Sequence, residues 1–467
     1  MAKLGTRTAS SVPNAWRILL EGEVLFPFKK LHLNVSLYTL YTLYTLYTLV
    51  IDSNLGSRTL RFFFMSLVVL SLLISSVAAC SSWVTDCSGD HAMVMNGRTM
   101  DFGGLDITEF ASVFSVPAGS NVNLTASKSA SDTPSTTAKY AYSFTGTQFL
   151  PEAHPLNIDG INSAGLAIGA LWQSNVTFHS APNRGSDAVF VFDLGDVLLS
   201  QFSTVDEVRE WLRPEKVQLT TQVFDEAVAF GLNTLFGVDP DIPKATDGNV
   251  FFIGLHFHVT DATGDSILIE ATENGSYALY DTKVVTNEPA WPQMAAELTT
   301  YDQFSFADVP GVPKQSDPAD LPLVIPFNSA RDSAEDGYFG SMSRNIRLQY
   351  QIAECQKYPW IDEGWSPGFK GLRPPQGLGP KTFRTLKRVE NYMSSIVVPR
   401  SQLVGSDNNY ATLFSVIKDN THGVYYYRTP RDNMWTVVDA RSIDDHAVYP
   451  IEPQNQPFFV AAKPLTT

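Results

Sequence analysis

Residues 67–79, LVVLSLLISSVAA, form an apolar run that closes on small residues, and the next residue is Cys80. Arg58 and Arg61 lie upstream. A basic start, a short greasy middle and a small-residue end are the layout of a secretory signal with its cleavage site. The run is also too short for a comfortable membrane span, which takes about 20 residues. This constrains the fold more than any other feature: the chain expected to fold starts at Cys80 and has 467 − 79 = 388 residues. Upstream, residues 37–49 repeat Leu-Tyr-Thr four times, a period of three that suits neither a strand nor an amphipathic helix. We therefore read 1–64 as a low-complexity or spurious extension, 65–79 as a signal peptide, and 80–467 as one domain destined for secretion or an extracytoplasmic compartment. Val77-Ala78-Ala79-Cys80 also fits a bacterial lipoprotein box, in which the cysteine is lipidated and chemically silenced, and residues up to Cys80 leave both readings open.

The rest of the composition is that of a globular chain, with 44% hydrophobic and 17% charged residues, enough for a sizeable core. A net charge of −15, with no basic stripe to replace phosphate counterions, excludes a nucleic-acid partner. Three cysteines, Cys80, Cys87 and Cys355, are too few for a disulfide scaffold. An odd number leaves one thiol unpaired; if that one is Cys80, Cys87 with Cys355 is the internal disulfide left.

Short apolar runs between turns predict strands at AMVMNGRTMDF (92–102), ASVFSVPAGS (111–120), YAYSFTG (140–146) and NIDGINSAGLAIGALW (157–172), the last turning at Asn162-Ser-Ala-Gly165. The Ser/Thr/Ala-rich stretch 120–137 reads as a surface loop. Residues 187–213 change to a helical period: Leu194, Leu198 and Leu199 recur at helical spacing, and Thr204-Val-Asp-Glu207 is a capping box that opens a second helix. NVFFIGLHFHV and DSILIEAT predict a hairpin across Thr260–Gly264, and YALYDTKVVTN one further strand. Helices follow near 343–356 and 381–395, flanked by Pro/Gly-rich connections over 305–336 and 360–380. YATLFSVI and GVYYYRT pair across Asp419-Asn420, before a last strand at MWTVVDA. Strands, helices, strands, helices, strands is an order that predicts α+β layers rather than strict βαβ alternation.

A cysteine at an amino terminus is chemically self-sufficient. Its α-amine titrates near ~8 and can take the thiol proton directly or through one water, so one residue is both nucleophile and base. The thiolate then needs cationic neighbours and the ammonium an acceptor, and Arg98 and Asp101 offer both. On a strand these two face opposite ways, so the spacing predicts a turn or bulge between them.

Cys80-Ser-Ser followed by Gly97-Arg98-Thr-Met-Asp101-Phe resembles the choloylglycine hydrolase family, which comprises bile-salt hydrolases, penicillin V acylases and relatives. Four further stretches are similar in order: Asp159-Gly-Ile-Asn162-Ser-Ala-Gly165-Leu166, Thr204-Val-Asp-Glu-Val208, Thr286-Asn287-Glu-Pro289 and Ser341-Met-Ser343-Arg344-Asn-Ile-Arg347. The step of 98 − 80 = 18 residues from Cys80 to Arg98 is similar to that of the Gram-negative penicillin acylase branch.

The resemblance implies an α+β fold, a four-layer αββα sandwich of the N-terminal-nucleophile hydrolase type. It implies hydrolysis of a linear carbon–nitrogen amide in a small N-acyl substrate with a hydrophobic acyl group. Cys80 is then nucleophile and base, Asp101 holds the α-amine, Arg98 and Arg344 favour the thiolate, and Asn287 donates to the tetrahedral oxyanion. No cofactor or metal is implied, nor any membrane insertion after cleavage, and self-association is left open. Trp172 stands where bile-salt enzymes carry an oxyanion-hole asparagine, so it belongs to the substrate and oxyanion region, and a backbone N–H or its indole N–H is the donor expected there. Asn345 replaces the family's usual phenylalanine. The alternative from another class is a secreted or lipid-anchored binding protein of the same fold without activity. His256-Phe-His258 places two imidazoles on one strand face, a spacing a metal could use, but no third ligand is apparent and half-buried strand histidines are expected.

Overall fold

The computed structural model describes residues 80–86, 93–103, 111–124, 135–148, 155–173, 187–214, 216–223, 254–302, 340–357, 379–397, 410–429 and 435–451, with short stretches at 178, 249–250 and 459–461. All belong to one compact unit, Leu73–Thr467. The repeat and the apolar run expected over 1–79 lie outside the described residues, as do the predicted connections 305–336 and most of 360–380.

Fifteen of the described strands build two large sheets. In chain order they are β1 (Ser81–Asp86), β2 (Val94–Gly103), β3 (Ala111–Val116), β4 (Tyr142–Thr147), β5 (Leu156–Asn162), β6 (Ala167–Trp172), β7 (Leu255–Thr260) and β8 (Ser266–Ala271). After them come β9 (Tyr277–Asp281), β10 (Val284–Thr286), β11 (Tyr410–Asp419), β12 (Val424–Arg428), β13 (Trp435–Asp439), β14 (Ala447–Pro450) and β15 (Phe459–Ala461). The first sheet runs β10-β1-β2-β11-β12-β13-β15 and the second β9-β8-β7-β6-β5-β4-β3-β14. Every pairing is antiparallel except that of β13 with β15.

Alternation along the strands sorts side chains into three apolar clusters, and these define the layers. Leu194, Leu198 and Leu199 of α1 (Leu194–Gln201) and Val205 and Val208 of α2 (Val205–Trp211) pack on Ile168, Ala170, Ile267 and Ile269 of the second sheet. Each leucine so buried contributes about 1.5–3 kcal/mol relative to an exposed one. Met100, Leu171, Leu268, Phe414 and Val416 fill the space between the sheets. Beyond the first sheet, Trp83 and Met95 pack against Leu348 and Ile352 of α4 (Ser341–Lys357) and Leu386, Val389 and Met393 of α5 (Pro380–Ser394). Another helix, α3 (Trp291–Asp302), follows β10. The layers are helix, sheet, sheet, helix, as the resemblance implies.

The capping box of α2 forms as predicted, with Thr204 Oγ1 accepting from Glu207 N at 3.2 Å and the Glu207 carboxylate from Thr204 N at 3.3 Å. At the β5–β6 turn, Asn162 Oδ1 accepts from Ala164 N (3.0 Å) and Leu166 N (2.9 Å), while its Nδ2 donates to Leu199 O and Phe202 O at the end of α1. Gly165 closes this turn at φ 94°, and a Cβ there would stand 1.9 Å from Asn420 O. Gly165→Ala is therefore expected to destabilise the fold by at least about 2 kcal/mol, from left-handed strain plus backbone overlap. A urea midpoint equal to wild type would show that the turn relaxes freely.

Four readings of the sequence are corrected. Residues 277–287 are not one strand: β9 joins the second sheet and β10 the first, with Thr282–Lys283 as the step between them. Thr282 Oγ1 donates to Val284 O at 2.8 Å there, a local bond that periodicity does not reveal. The late hairpin turns at Asn420–Gly423 rather than at Asp419-Asn420, because β11 continues through Asp419. The loop 120–137 carries a short antiparallel pair, Asn121–Asn123 with Ser135–Thr137. The helical region 187–213 begins with a strand, Asp187–Phe190, paired in parallel with Val217–Thr220.

Candidate active site

The site is assembled by β1 lying between β2 and β10. Ser81 pairs with Thr99 on one side and Thr286 on the other, which brings Cys80, the Arg98–Asp101 segment and Asn287 together although they are up to about two hundred residues apart in sequence. Cys80 is 2% exposed, and its side chain joins the cluster between the sheets. Its Sγ lies 3.5 Å from Met100 Sδ and 3.7 Å from Asp101 O. Burial pushes the thiol above its ordinary pKa, and the Asp101 carboxylate adds to this. The cations Arg98, chiefly, and Arg344 pull the other way. Cys80 is a free thiol, whereas Cys355 is held in a disulfide. The one other cysteine, Cys87, lies outside the described residues.

Arg98 faces the same inter-sheet space. Its Nη1 donates to Ile158 O at 2.7 Å and Asp159 Oδ2 at 2.9 Å, and its Nη2 to Ala170 O. Gly169 makes room for it, since a Cβ there would stand 3.2 Å from Arg98 Cδ and 3.1 Å from Asp159 Oδ2. Burial opposes the charge of Arg98, but Asp159, Cys80 and Tyr425 together outweigh it, so the guanidinium pKa is held above its usual value.

Asp101 faces the opposite way, towards α4. It accepts from Thr99 Oγ1 at 3.1 Å and from Thr412 Oγ1, and Arg344 Nη1 lies 3.6 Å from its Oδ2. Burial raises this carboxyl to about 6 against the pull of Arg344 and the two threonines. It is thus charged at neutral pH and suited to hold an ammonium. The turn or bulge expected between Arg98 and Asp101 is absent: β2 runs through both residues, and the irregularity lies in the facing strand, between Thr412 and Phe414 of β11. No bend is needed, because Cys80 presents its thiol to one face of the sheet while Arg344 holds its backbone from the other.

Arg344 sits in the first turn of α4 and is fully buried. Its Nη1 donates to Cys80 O at 2.6 Å and to Ser81 Oγ, and its Nη2 to Asn287 Oδ1 at 3.3 Å. Asn287 in turn donates Nδ2 to Trp172 O at 2.7 Å. Its amide is therefore clamped at both ends, and one N–H remains for a further acceptor. Asn345 bonds Thr286 Oγ1 at 3.3 Å and ties α4 to β10. The Trp172 backbone belongs to this array, but its half-buried side chain packs on the α1/α2 side of the second sheet, away from Cys80.

The two histidines of β7 do share a face, but each has a protein partner. His256 Nδ1 lies 3.3 Å from Glu270 Oε2, and His258 Nδ1 2.8 Å from Ser82 Oγ. Burial lowers His258 to about 3, so it is neutral. No group of three or more His, Cys, Asp or Glu side chains is arranged for a metal among the described residues.

Sequence reasoning missed Asp159 as the partner of Arg98, and Lys418 and Tyr425 as the further partners of Asp159. In the sequence Asp159 stands out only as part of a turn motif. Lys418 carries a usable signal: it follows Phe414 and Val416 at period two in an inward-facing strand, where an apolar residue is expected.

A family model described as linear amide C–N hydrolases, choloylglycine hydrolase family, matches residues 80–357. Among curated proteins the chain is 27% identical to a penicillin V acylase of Pectobacterium atrosepticum, over 31% of this chain and 34% of that protein. It is also 27% identical to a bile salt hydrolase/transferase of Clostridium perfringens, over 37% of this chain and 46% of that protein. The matches thus span between a third and a half of these relatives' lengths, and identity does not separate the two branches. Among solved structures, the C2A mutant of conjugated bile acid hydrolase from Clostridium perfringens has TM-score 0.55 at 20% identity, covering 82% of this chain and 98% of the other. Penicillin V acylase from Agrobacterium tumefaciens has TM-score 0.54 at 16% identity, covering 83% and 98%. These structural likenesses show the fold. The family match covers more than half of the chain and begins at the buried free thiol, and on that extent the chain belongs to the choloylglycine hydrolase family of linear amide C–N hydrolases.

Proposed function

We propose that this protein hydrolyses a linear N-acyl amide, with Cys80 as nucleophile once the residues before it have been removed. The observation that carries the reading is the single buried array in which Arg344 bonds the Cys80 carbonyl and Asn287 while lying beside Asp101. The Cys80 α-amine takes the thiol proton, Sγ bonds the substrate carbonyl carbon, and the carbonyl π pair moves to oxygen. The free N–H of Asn287 meets that oxyanion. Collapse breaks the C–N bond, and the leaving amine takes the proton from the α-ammonium. Water then adds to the thioester with the α-amine as base, Sγ departs, and the acid is released. Asp101, close enough to raise the Cys80 thiol pKa, holds the ammonium form in place.

The apolar run 67–79 and the disulfide at Cys355 support secretion or an extracytoplasmic location, with the hydrolase domain starting at Cys80. The names of the relatives, penicillin V acylase and bile salt hydrolase/transferase, support a substrate that joins a hydrophobic acyl group to a polar amine.

The test is purified secreted protein against a panel of penicillin V, conjugated bile acids, acyl-homoserine lactones and N-acyl ethanolamines. Cleavage of at least one, with equal release of amine and acid by a protein whose mass places Cys80 first, is expected. Inactivity across the panel would overturn the reading. Asn287→Ala is expected to lower kcat by about a hundredfold to a thousandfold with KM little changed, since an oxyanion donor acts chiefly in the transition state. An unchanged kcat would remove Asn287 from that role.

A further inference from the structure

Beneath Cys80, between the sheets, lies a fully buried charge cluster that the mechanism above does not use. Asp159 of β5 is its centre. Oδ2 accepts from both Arg98 Nη1 (2.9 Å) and Lys418 Nζ (2.8 Å), and Oδ1 accepts from Tyr425 OH (2.9 Å). Lys418 Nζ also donates to Ile168 O at 3.0 Å. The side chains of Arg98, Asp159 and Lys418 are at most 1% exposed. Among the groups in direct contact, two cations face one carboxylate, and a buried excess of positive charge is costly unless an anion answers it. A further neighbour of Arg98 is the thioether of Met100, 3.8 Å from Nη2, and Cys80 Sγ touches that same sulfur at 3.5 Å. The anion that can answer the excess is the Cys80 thiolate.

We propose that Lys418 is a positioning residue for Cys80 chemistry: by sharing Asp159 with Arg98, it leaves the guanidinium charge unspent and directed at the thiol. This rests on the reading of Cys80 as nucleophile and deepens it. With Lys418 absent, Arg98 and Asp159 close into a neutral pair and the thiolate loses its electrostatic partner. The groups facing Lys418 from the packed strands are Arg98 of β2, Asp159 of β5, His258 of β7 and Tyr425 of β12. His258, which Lys283 also faces, is neutral, and the Tyr425 hydroxyl is held well above its usual pKa by burial and Asp159. The balance within the cluster is therefore set by the two cations and Asp159, while Asp101 and Arg344 act on the thiol from the other face of the sheet. Burial brings Lys418 itself down to about 8, consistent with a site already rich in positive charge.

The experiment is the pH profile of iodoacetamide alkylation at Cys80, read by peptide mass spectrometry on purified wild type, Lys418→Met and Lys418→Arg, with kcat profiles alongside. The thiol of Lys418→Met should titrate about one unit higher, so that alkylation and kcat at pH 7 fall roughly tenfold, while Lys418→Arg keeps the wild-type profile. Should Lys418→Met fail to fold, Lys418→Gln retains a donor towards Asp159 without the charge, and the same shift is expected of it. A folded, uncharged variant whose alkylation profile overlays wild type overturns the proposal. Alkylation reads the thiol without any substrate: a shifted profile in a protein that cleaves no amide would sink the proposed function and leave this inference standing.

Discussion

Cys80→Ser is expected to lower amide hydrolysis by at least about a thousandfold while the protein stays folded. The hydroxyl is a far weaker nucleophile than a thiol at neutral pH, and no cation here can ionise it. The hydroxyl is smaller than the thiol and introduces no overlap at a position 2% exposed, and the hydrogen-bonding role of the Cys80 backbone is untouched, so unfolding should not confuse the result. Nucleophile replacements in other hydrolases give losses of this order or larger, with a residue left by binding and oxyanion stabilisation. The measurement is kcat/KM on whichever N-acyl amide the wild type cleaves best, with circular dichroism as the check on folding. Retention of more than a tenth of the activity would mean that another group attacks the carbonyl.

Arg344→Met is expected to damage both stability and activity. This guanidinium is fully buried and bonds Cys80 O, Ser81 Oγ and Asn287 Oδ1, with Asp101 Oδ2 at 3.6 Å. Removing it strands the Asp101 carboxylate in a low-dielectric site, where breaking a buried pair costs about 3–5 kcal/mol. It also frees one end of the Asn287 amide, so kcat should fall at least about a hundredfold in whatever fraction remains folded. Arg344→Lys is the informative companion. It restores charge near Asp101 but cannot fork between Cys80 O and Asn287, so stability should recover further than kcat does. Urea unfolding and steady-state kinetics on the same preparations measure the two effects. A variant Arg344→Met with wild-type midpoint and wild-type kcat would show that the array does not depend on its central cation.

Much of this protein is written in short-range pattern. Alternating apolar residues place most of the strands, the Thr204–Glu207 box starts α2, and Asn162 with Gly165 makes the β5–β6 turn, because each of these depends on contacts within a few residues. One split that periodicity missed, β9 from β10, decides where Asn287 goes. Two strands in different sheets look like one when their side chains alternate without interruption, and only sheet pairing distinguishes them. Cys80 is marked by the run before it, and Arg98 and Asp101 by the charges a terminal thiol needs, whereas Asn287 and Arg344 came from motifs that resemble a family rather than from spacing. Spacing by itself argued for a bend that β2 does not contain.

What the sequence by itself determined is the inventory: a cysteine following an apolar, small-residue run, an acidic chain, and strand and helix segments sufficient for a layered α+β fold. What only the tertiary structure decided is which faces those residues share. The pairing of β1 with both β2 and β10, and the packing of α4 on them, carried Arg344 to the backbone of Cys80. The stacking of the two sheets turned Lys418, an apparent misfit in an apolar strand, into a second cation on Asp159. Local pattern reports hydrogen bonds and burial between near neighbours in the chain. These contacts join residues hundreds of positions apart, and they exist only once both sheets have closed over the space between them.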